Sequence, residues 1–321
     1  MKILVTGAGG FIGYNFCSYL LSNKTNTKIF GIDNINNYYD VKLKKKRIQL
    51  LKKFKNFKFY KININDQKKL EKIFKISKFD FVINLAAQAG VRYSIDHPRK
   101  YVDNNILGFY NILENSKKYK IKRLFYASSS SVYGDNSNFP LSEKESINPK
   151  NIYGLSKKIN EEVSEIFNKY YGLKSTGLRF FTVFGEWGRP DMMMLKYIDA
   201  HYRKKKFQLN NFGKHVRDFT YIGDVVKIMY LLLKNNKKLK DKEIFNICSN
   251  NPVKLEKIID LMHKRKIKPN IKKAPLQQAD IIKTHGENSR ILKITKFKKF
   301  ENFENAVNRT IDWYKKYYFN N

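Results

Sequence analysis

An unbroken apolar run at residues 2–6 opens the chain, followed by Gly7-Ala8-Gly9-Gly10 and then apolar positions at Phe16, Leu20 and Leu21 spaced as one helix face. A second apolar strand, residues 28–32, ends in Asp33. The alternation continues with a Lys-rich helix over 41–54, a strand over 57–62, a helix over 67–76 and a strand over 79–85. A long helix over 99–118, a strand over 123–127, a helix over 152–170 and a strand over 178–182 follow. Continuous apolar strands alternating with helices predict a parallel sheet covered on both faces. After 182 the pattern changes to a loop at 186–191, a short helix, the segment 216–221 and mixed elements, with no low-complexity linker or internal repeat.

The first three elements carry chemistry. Strand, glycine-rich turn, helix, strand and acid is the order required of a dinucleotide site. Gly7, Gly10 and Gly13 let a pyrophosphate approach the helix that begins near Phe11 and Ile12, where backbone N–H groups favour an anion. Asp33 is placed to accept hydrogen bonds from the adenosine ribose, and it repels a 2′-phosphate. Asn34 beside it supplies no cation, so NAD is expected rather than NADP. The predicted fold is α/β: a Rossmann-type doubly wound parallel sheet with a smaller C-terminal substrate-binding domain. Residues 1–182 are expected to form the NAD-binding domain, with segments near 217–250 returning to it, and 183–321 mainly a substrate-binding part. Ligands in such sheets sit beyond the carboxyl ends of the strands. Asp33, Ala86-Ala87, Ser129 and Thr182 all fall there.

A row of hydroxyls, Ser128 to Ser131, closes the strand that ends near Ala127, and Tyr153 and Lys157 stand four apart on the next helix. That spacing puts phenol and ammonium on one face. The ammonium is expected to lower the phenol's pKa, and Ser129 to hold a substrate hydroxyl while Tyr153 takes its proton.

Taken in order, Gly7-x-x-Gly10-x-x-Gly13, Asp33, Ala86-Ala87, Asn105-x-x-Gly108, Ser129 and Tyr153-x-x-x-Lys157 resemble the extended short-chain dehydrogenase/reductase family. Residues 86–94 (AAQAGVRYS), 127–134, 176–192 (TGLRFFTVFGEWGRPDM) and 217–224 (RDFTYIGD) look most like its UDP-glucuronate 4-epimerases. The resemblance implies a catalytic set of Ser129, Tyr153 and Lys157. It implies NAD held by the glycine turn, Asp33, Asn34, Asn63, Ile64, Leu85, Ala86, Ala87, Asn105, Tyr153 and Lys157. It also implies a pyrophosphate contact at Arg217. Two departures stand out. Asn63 occupies a position where the family often has Asp near the adenine, and Gln277 stands where the UDP-galactose relatives have a second Arg. Thr182, where those relatives carry Asn, is similar to the uronic-acid branch. Dehydratases and decarboxylases of the family place carboxylates at the positions of Ser130 and Ser131, which argues against either chemistry.

A uronic acid oxidised at carbon 4 is a β-keto acid, so an epimerase must hold its carboxylate out of line with the carbonyl. Ser130, Ser131 and Thr182 supply neutral hydroxyls, and Arg92 or Arg189 a guanidinium, with Arg189 expected as the anchor. The resemblance also implies a homodimer packed through the helices over 99–118 and 152–170.

Composition changes this little. The net charge of +36 invites nucleic acid, but the lysines are spread through nearly every helix without a nucleic-acid motif. The cluster Lys42, Lys44, Lys45, Lys46 and Arg47 is expected to be a solvated helix face. Two distant cysteines and no His or Cys constellation predict no metal and a reducing, cytoplasmic setting. No apolar run reaches membrane length. Competing expectations are a neutral UDP-glucose or UDP-N-acetylglucosamine 4-epimerase, a catalytically silent NAD-binding protein and a charge-driven nucleic-acid binder.

Overall fold

The computed structural model of the chain describes residues 1–23, 26–277 and 280–319. The strands, in chain order, are β1 (Lys2–Thr6), β2 (Lys28–Asp33), β3 (Phe57–Lys61), β4 (Phe81–Asn84), β5 (Arg123–Ser129) and β6 (Ser175–Phe180). They continue as β7 (Thr182–Phe184), β8 (Lys206–Leu209), β9 (Val216–Tyr221), β10 (Lys242–Ile247), β11 (Pro252–Lys254) and β12 (Asn270–Lys273). A parallel sheet of seven strands runs β3-β2-β1-β4-β5-β6-β10. Its chain order reverses between β1 and β4, which opens a crevice at their carboxyl ends.

Alternation along β1 shows why both faces had to be apolar. Ile3 and Val5 pack with Phe16 and Leu20 of the helix Phe11–Ser22 and with Val225 and Leu232 of the helix Ile222–Lys234. Leu4, on the other face, packs with Leu70 of Gln67–Ser77, Ile112 of Gly108–Lys118 and Phe167 of Ile152–Tyr171. A separate core joins Tyr197, Ile198, Phe207, Ile258, Met262, Val307 and Ile311. It lies beneath two small sheets, β11-β9-β7 and β12-β8. The C-terminal helix Phe303–Phe319 docks with Trp313 and Tyr317 against Trp187, 5.4 and 5.3 Å between rings.

Three elements differ from expectation, the first being the strand expected over 178–182: β6 ends at Phe180 in the seven-stranded sheet, and Thr182 begins β7 in a separate one. The strand expected over 123–127 runs on to Ser129, so Ser128 and Ser129 are strand residues with side chains fixed by sheet pairing. The single helix expected over 99–118 is instead Pro98–Tyr101, a π-helical turn Val102–Leu107 and Gly108–Lys118. That wide turn carries Asn105, whose amide bonds the backbone of Gln88. No helix among the described residues is long and apolar enough to cross a membrane.

Candidate active site

The glycine turn is built by close contacts that no side chain would survive. Gly7 has φ 69°, and a Cβ there would stand 2.8 Å from Ala86 N; a Cβ on Gly13 would stand 2.1 Å from Gly7 O. The helix Phe11–Ser22 starts at Gly10 with no side-chain cap and no acid in its first turn. Its leading N–H groups therefore remain available to an anion. Asp33 closes β2 and accepts from Gly9 N (2.9 Å) and Ile35 N (2.7 Å). Burial raises its carboxyl above the ordinary range, opposed by those two N–H groups and by Lys44 and Arg47.

A cleft of about 1300 Å³ runs from this turn into the C-terminal part. That exceeds the usual size of a pocket for one drug-sized ligand, and so has room for a dinucleotide and a second nucleotide together. Gly7, Gly10, Phe11, Ile12, Gly13, Asp33, Asn34, Asn63, Ile64, Leu85, Ala86, Ala87, Tyr153 and Lys157 all line it. Asn105 does not belong with them. Its Oδ1 accepts from Gln88 N (2.7 Å) and its Nδ2 donates to Gln88 O and Ser156 Oγ, 3.0 Å each. With its amide spent in this way, it is a brace behind the cleft wall rather than a cofactor contact. A further correction concerns the basic cluster on the helix Val41–Leu51. Lys44 and Arg47 are 5% and 0% exposed, because Lys44 donates to Asn36 and Arg47 to four oxygens of the surrounding loops.

In the middle of the cleft, the Tyr153 phenol lies near Ser129, which opposes the effect of its burial. Ser129 Oγ accepts from Ser131 N, 3.2 Å away. The expected lowering of the phenol by Lys157 is not what the geometry gives. Burial raises the Tyr153 phenol, and the groups opposing it are Ser129 and Arg189. Lys157 instead donates to Ala127 O at 2.9 Å, and burial pulls its ammonium down to about 8, with Glu161 opposing. Glu161 is itself gripped by Arg179 Nε (2.9 Å) and Nη2 (2.7 Å) and by Ser128 Oγ (2.5 Å). This buried pair ties the helix Ile152–Tyr171 to β5 and β6, and so holds Lys157 opposite Ser129.

Towards the C-terminal part the cleft is lined by Ser130, Ser131, Thr182, Gln277, Arg92, Arg189 and Arg217, among others. Arg92 makes a two-pronged pair with Asp280, Nε–Oδ1 3.1 Å and Nη2–Oδ2 2.6 Å. Arg189 likewise faces Asp191, with Nε–Oδ1 at 3.0 Å and Nη2–Oδ2 at 2.5 Å. Arg217 differs. It donates only to the carbonyls of Val216, Ile281 and Ile282, and burial draws it down to about 10. The carboxylate of its neighbour Asp218 accepts from Ser249 N and Oγ and from Gly286 N, so no local ion pair forms between them. The sequence reading missed Asp191, Asp280 and Tyr38. Asp191 was discoverable two residues from Arg189; nothing local marks the other two.

The family model of the NAD dependent epimerase/dehydratase family matches residues 3–248. UDP-glucuronate 4-epimerase 4 of Arabidopsis thaliana is 37% identical over 99% of this chain and 76% of its own length. The crystal structure of UDP-glucuronic acid 4-epimerase from Bacillus cereus, in complex with UDP-glucuronic acid and NAD, superposes with TM-score 0.93 at 29% identity. It covers 99% of this chain and 100% of that one. UDP-glucose 4-epimerase from Thermotoga maritima, with UDP-glucose, gives TM-score 0.87 at 28% identity, covering 98% and 99%. With the glycine turn, the buried acid and the Ser129–Tyr153–Lys157 set in one cleft, the chain belongs to the NAD dependent epimerase/dehydratase family, and NAD is its cofactor.

Proposed function

We propose that this isomerase interconverts UDP-glucuronate and UDP-galacturonate by transient oxidation at carbon 4. The observation that carries the substrate assignment is a reaction centre edged by hydroxyls. Ser129, Ser130, Ser131 and Thr182 line the cleft with Tyr153, and at the positions of Ser130 and Ser131 relatives that eliminate water or carbon dioxide carry acids. The structural likeness to an epimerase holding UDP-glucuronic acid and NAD supports the same reading.

When bound, NAD supplies reversible hydride exchange with carbon 4. Gly7, Gly10 and Gly13 with the N-terminus of the helix Phe11–Ser22 hold its pyrophosphate, and Asp33 its adenosine ribose. Asn34, Asn63, Ile64, Leu85, Ala86 and Ala87 enclose the rest. Ser129 orients the 4-hydroxyl, and Tyr153 takes its proton and later returns it. Arg189 lowers the cost of the phenolate in this buried site, as its charge already acts on Tyr153. Lys157 holds the ribose end. Arg217, half-buried without a bonded carboxylate, takes the substrate pyrophosphate, aided by Gln277. Ser130, Ser131 and Thr182 keep the carboxylate out of line with the 4-keto group while the sugar turns over. Arg189 anchors that carboxylate; Arg92, occupied by Asp280, closes the cleft.

A neutral UDP-hexose 4-epimerase is the second reading, favoured by the likeness to the Thermotoga maritima enzyme. Parallel incubation with UDP-glucuronate and UDP-glucose, without added NAD, followed by product NMR, separates the two. Conversion of UDP-glucuronate to its 4-epimer is the expected result; turnover of UDP-glucose alone removes the uronate assignment. Exposed Val102, Leu107 and Tyr110, with Leu155, Ile166 and Tyr170 on the helix Ile152–Tyr171, support a homodimer. Light scattering on the purified chain tests that. Buried, unpaired Cys17 and Cys248 fit a cytoplasmic enzyme feeding polysaccharide synthesis.

A further inference from the structure

Arg189 is held by parts of the chain that no motif connects to it. Its guanidinium edge meets Asp191, and Asp191 Oδ2 also accepts from Tyr38 Oη at 3.0 Å. Tyr38 comes from the loop after β2, four residues beyond Asn34, and its ring packs 4.8 Å from Tyr93. Its hydroxyl lies where only a glycine leaves space: a Cβ on Gly90 would stand 2.2 Å from it, and Gly90 has φ 104°. A second tie runs beside the first. Arg47, fully buried, donates from Nη1 to Gly9 O and Tyr39 Oη, 2.8 Å each, and from Nη2 to Trp187 O (2.5 Å) and Gly188 O (2.9 Å). One side chain thus joins the dinucleotide-binding glycine turn to the loop that carries Arg189. Trp187 has φ 59°, a left-handed conformation that costs energy in a residue with a side chain, and its carbonyl is one of those Arg47 holds.

We infer that Tyr38, Arg47 and Asp191 are positioning residues that make the substrate loop part of the cofactor site, fixing the one orientation of Arg189 that receives a sugar carboxylate. The inference rests on the UDP-uronate reading and deepens it. The edge of Arg189 carrying Nε and Nη2 belongs to Asp191, which leaves Nη1 as the donor towards the substrate. An arginine free to rotate would offer its two-pronged edge to the carboxylate and hold it in one place. The pairing with Asp191 prevents this, so the carboxylate is held by a single prong and can be released as the sugar turns over. Tyr38 and Arg47 also give the loop the same position whenever the glycine turn and the loop after Asp33 are ordered around the dinucleotide.

The test uses the NAD-loaded protein and two gentle variants, Tyr38→Phe, which removes one hydroxyl, and Arg47→Lys, which keeps the charge but lacks the fork. Dissociation constants for UDP-glucuronate and UDP-glucose are measured by calorimetry, products by NMR, and retained NAD by absorbance. Wild type is expected to epimerise UDP-glucuronate. Tyr38→Phe should cut its preference for UDP-glucuronate over UDP-glucose roughly fivefold, the worth of about one hydrogen bond, and release decarboxylated pentose, with bound NAD retained. Arg47→Lys should move the same ratio in the same direction. If wild type epimerises UDP-glucuronate while both variants keep its binding ratio and release no pentose, the strap does not position Arg189 and the inference is overturned alone. If wild type leaves UDP-glucuronate unchanged, the uronate reading is overturned and the inference falls with it.

Discussion

Within the cleft the Arg189 guanidinium lies against the carboxylate of Asp191, whereas Arg217 has three backbone carbonyls and no bonded carboxylate among the described residues. Both are half-buried, yet the loss of solvent acts differently on them. Arg189 is pushed above the ordinary arginine value, with Asp191 outweighing the loss of solvent, whereas Arg217 is drawn down to about 10. A buried cation without a counter-ion is costly, and a bound anion removes that cost. Arg217 is therefore a site that waits for charge, suited to a pyrophosphate that stays in place through the reaction. Arg189 is already neutralised by its partner, suited to steering a carboxylate that must be let go. The two arginines divide affinity from control.

The largest effect is expected at neither arginine but at Tyr153. Tyr153→Phe removes the proton acceptor and should lower turnover by roughly 10²–10⁴-fold with NAD still bound, measured by NMR-detected epimerisation. Full activity would move the chemistry elsewhere in the cleft. Next comes Arg217→Met, which should weaken binding of UDP alone by about 10–100-fold, since hydrogen bonds to a charged group contribute about 1.5–3 kcal/mol. Arg189→Met should leave UDP affinity within about twofold and instead release pentose, because single-residue effects at separated sites do not couple. Equal losses of UDP affinity in the two variants would erase the distinction drawn here.

The pH profile is a subtler probe. Lys157 keeps its ammonium below about 8 and loses it above, so kcat/KM should fall as pH rises through about 8. Arg217, at about 10, stays charged across that range, so UDP binding should not follow the same limb. A profile flat to pH 9.5 would show that the Lys157 charge is dispensable. The smallest effect is expected of Gln277→Arg, which adds a second cation beside Arg217. UDP should bind tighter by roughly two- to fivefold at low salt, the gain shrinking as ionic strength rises. No change would place residue 277 out of reach of the pyrophosphate.

Much of the frame could be read from linear order. The strand runs, the glycine turn, Asp33 and the Tyr153-to-Lys157 spacing are local signals, because backbone geometry and helix periodicity act over a few residues. The hydroxyl row at Ser129 to Ser131 was equally visible, although its strand reached two residues further than expected. What local pattern could not convey was the partner of each side chain. Asn105 carries a motif position but spends its amide on Gln88 and Ser156. Lys157 has the right spacing to Tyr153 yet turns to Ala127 O.

The amino-acid order by itself determined the doubly wound sheet, the dinucleotide crevice and the residue types at the reaction centre, since each depends on neighbours in sequence. Only the tertiary structure decided that Arg47, in a run of lysines that looks solvated, is fully buried between the glycine turn and the loop of Trp187 and Gly188. It alone decided that Arg92 pairs with Asp280 and that Arg217 pairs with no carboxylate. The reason is physical. The charge of an arginine is written in its type, but its work depends on which acids, carbonyls and voids the fold brings within hydrogen-bond distance.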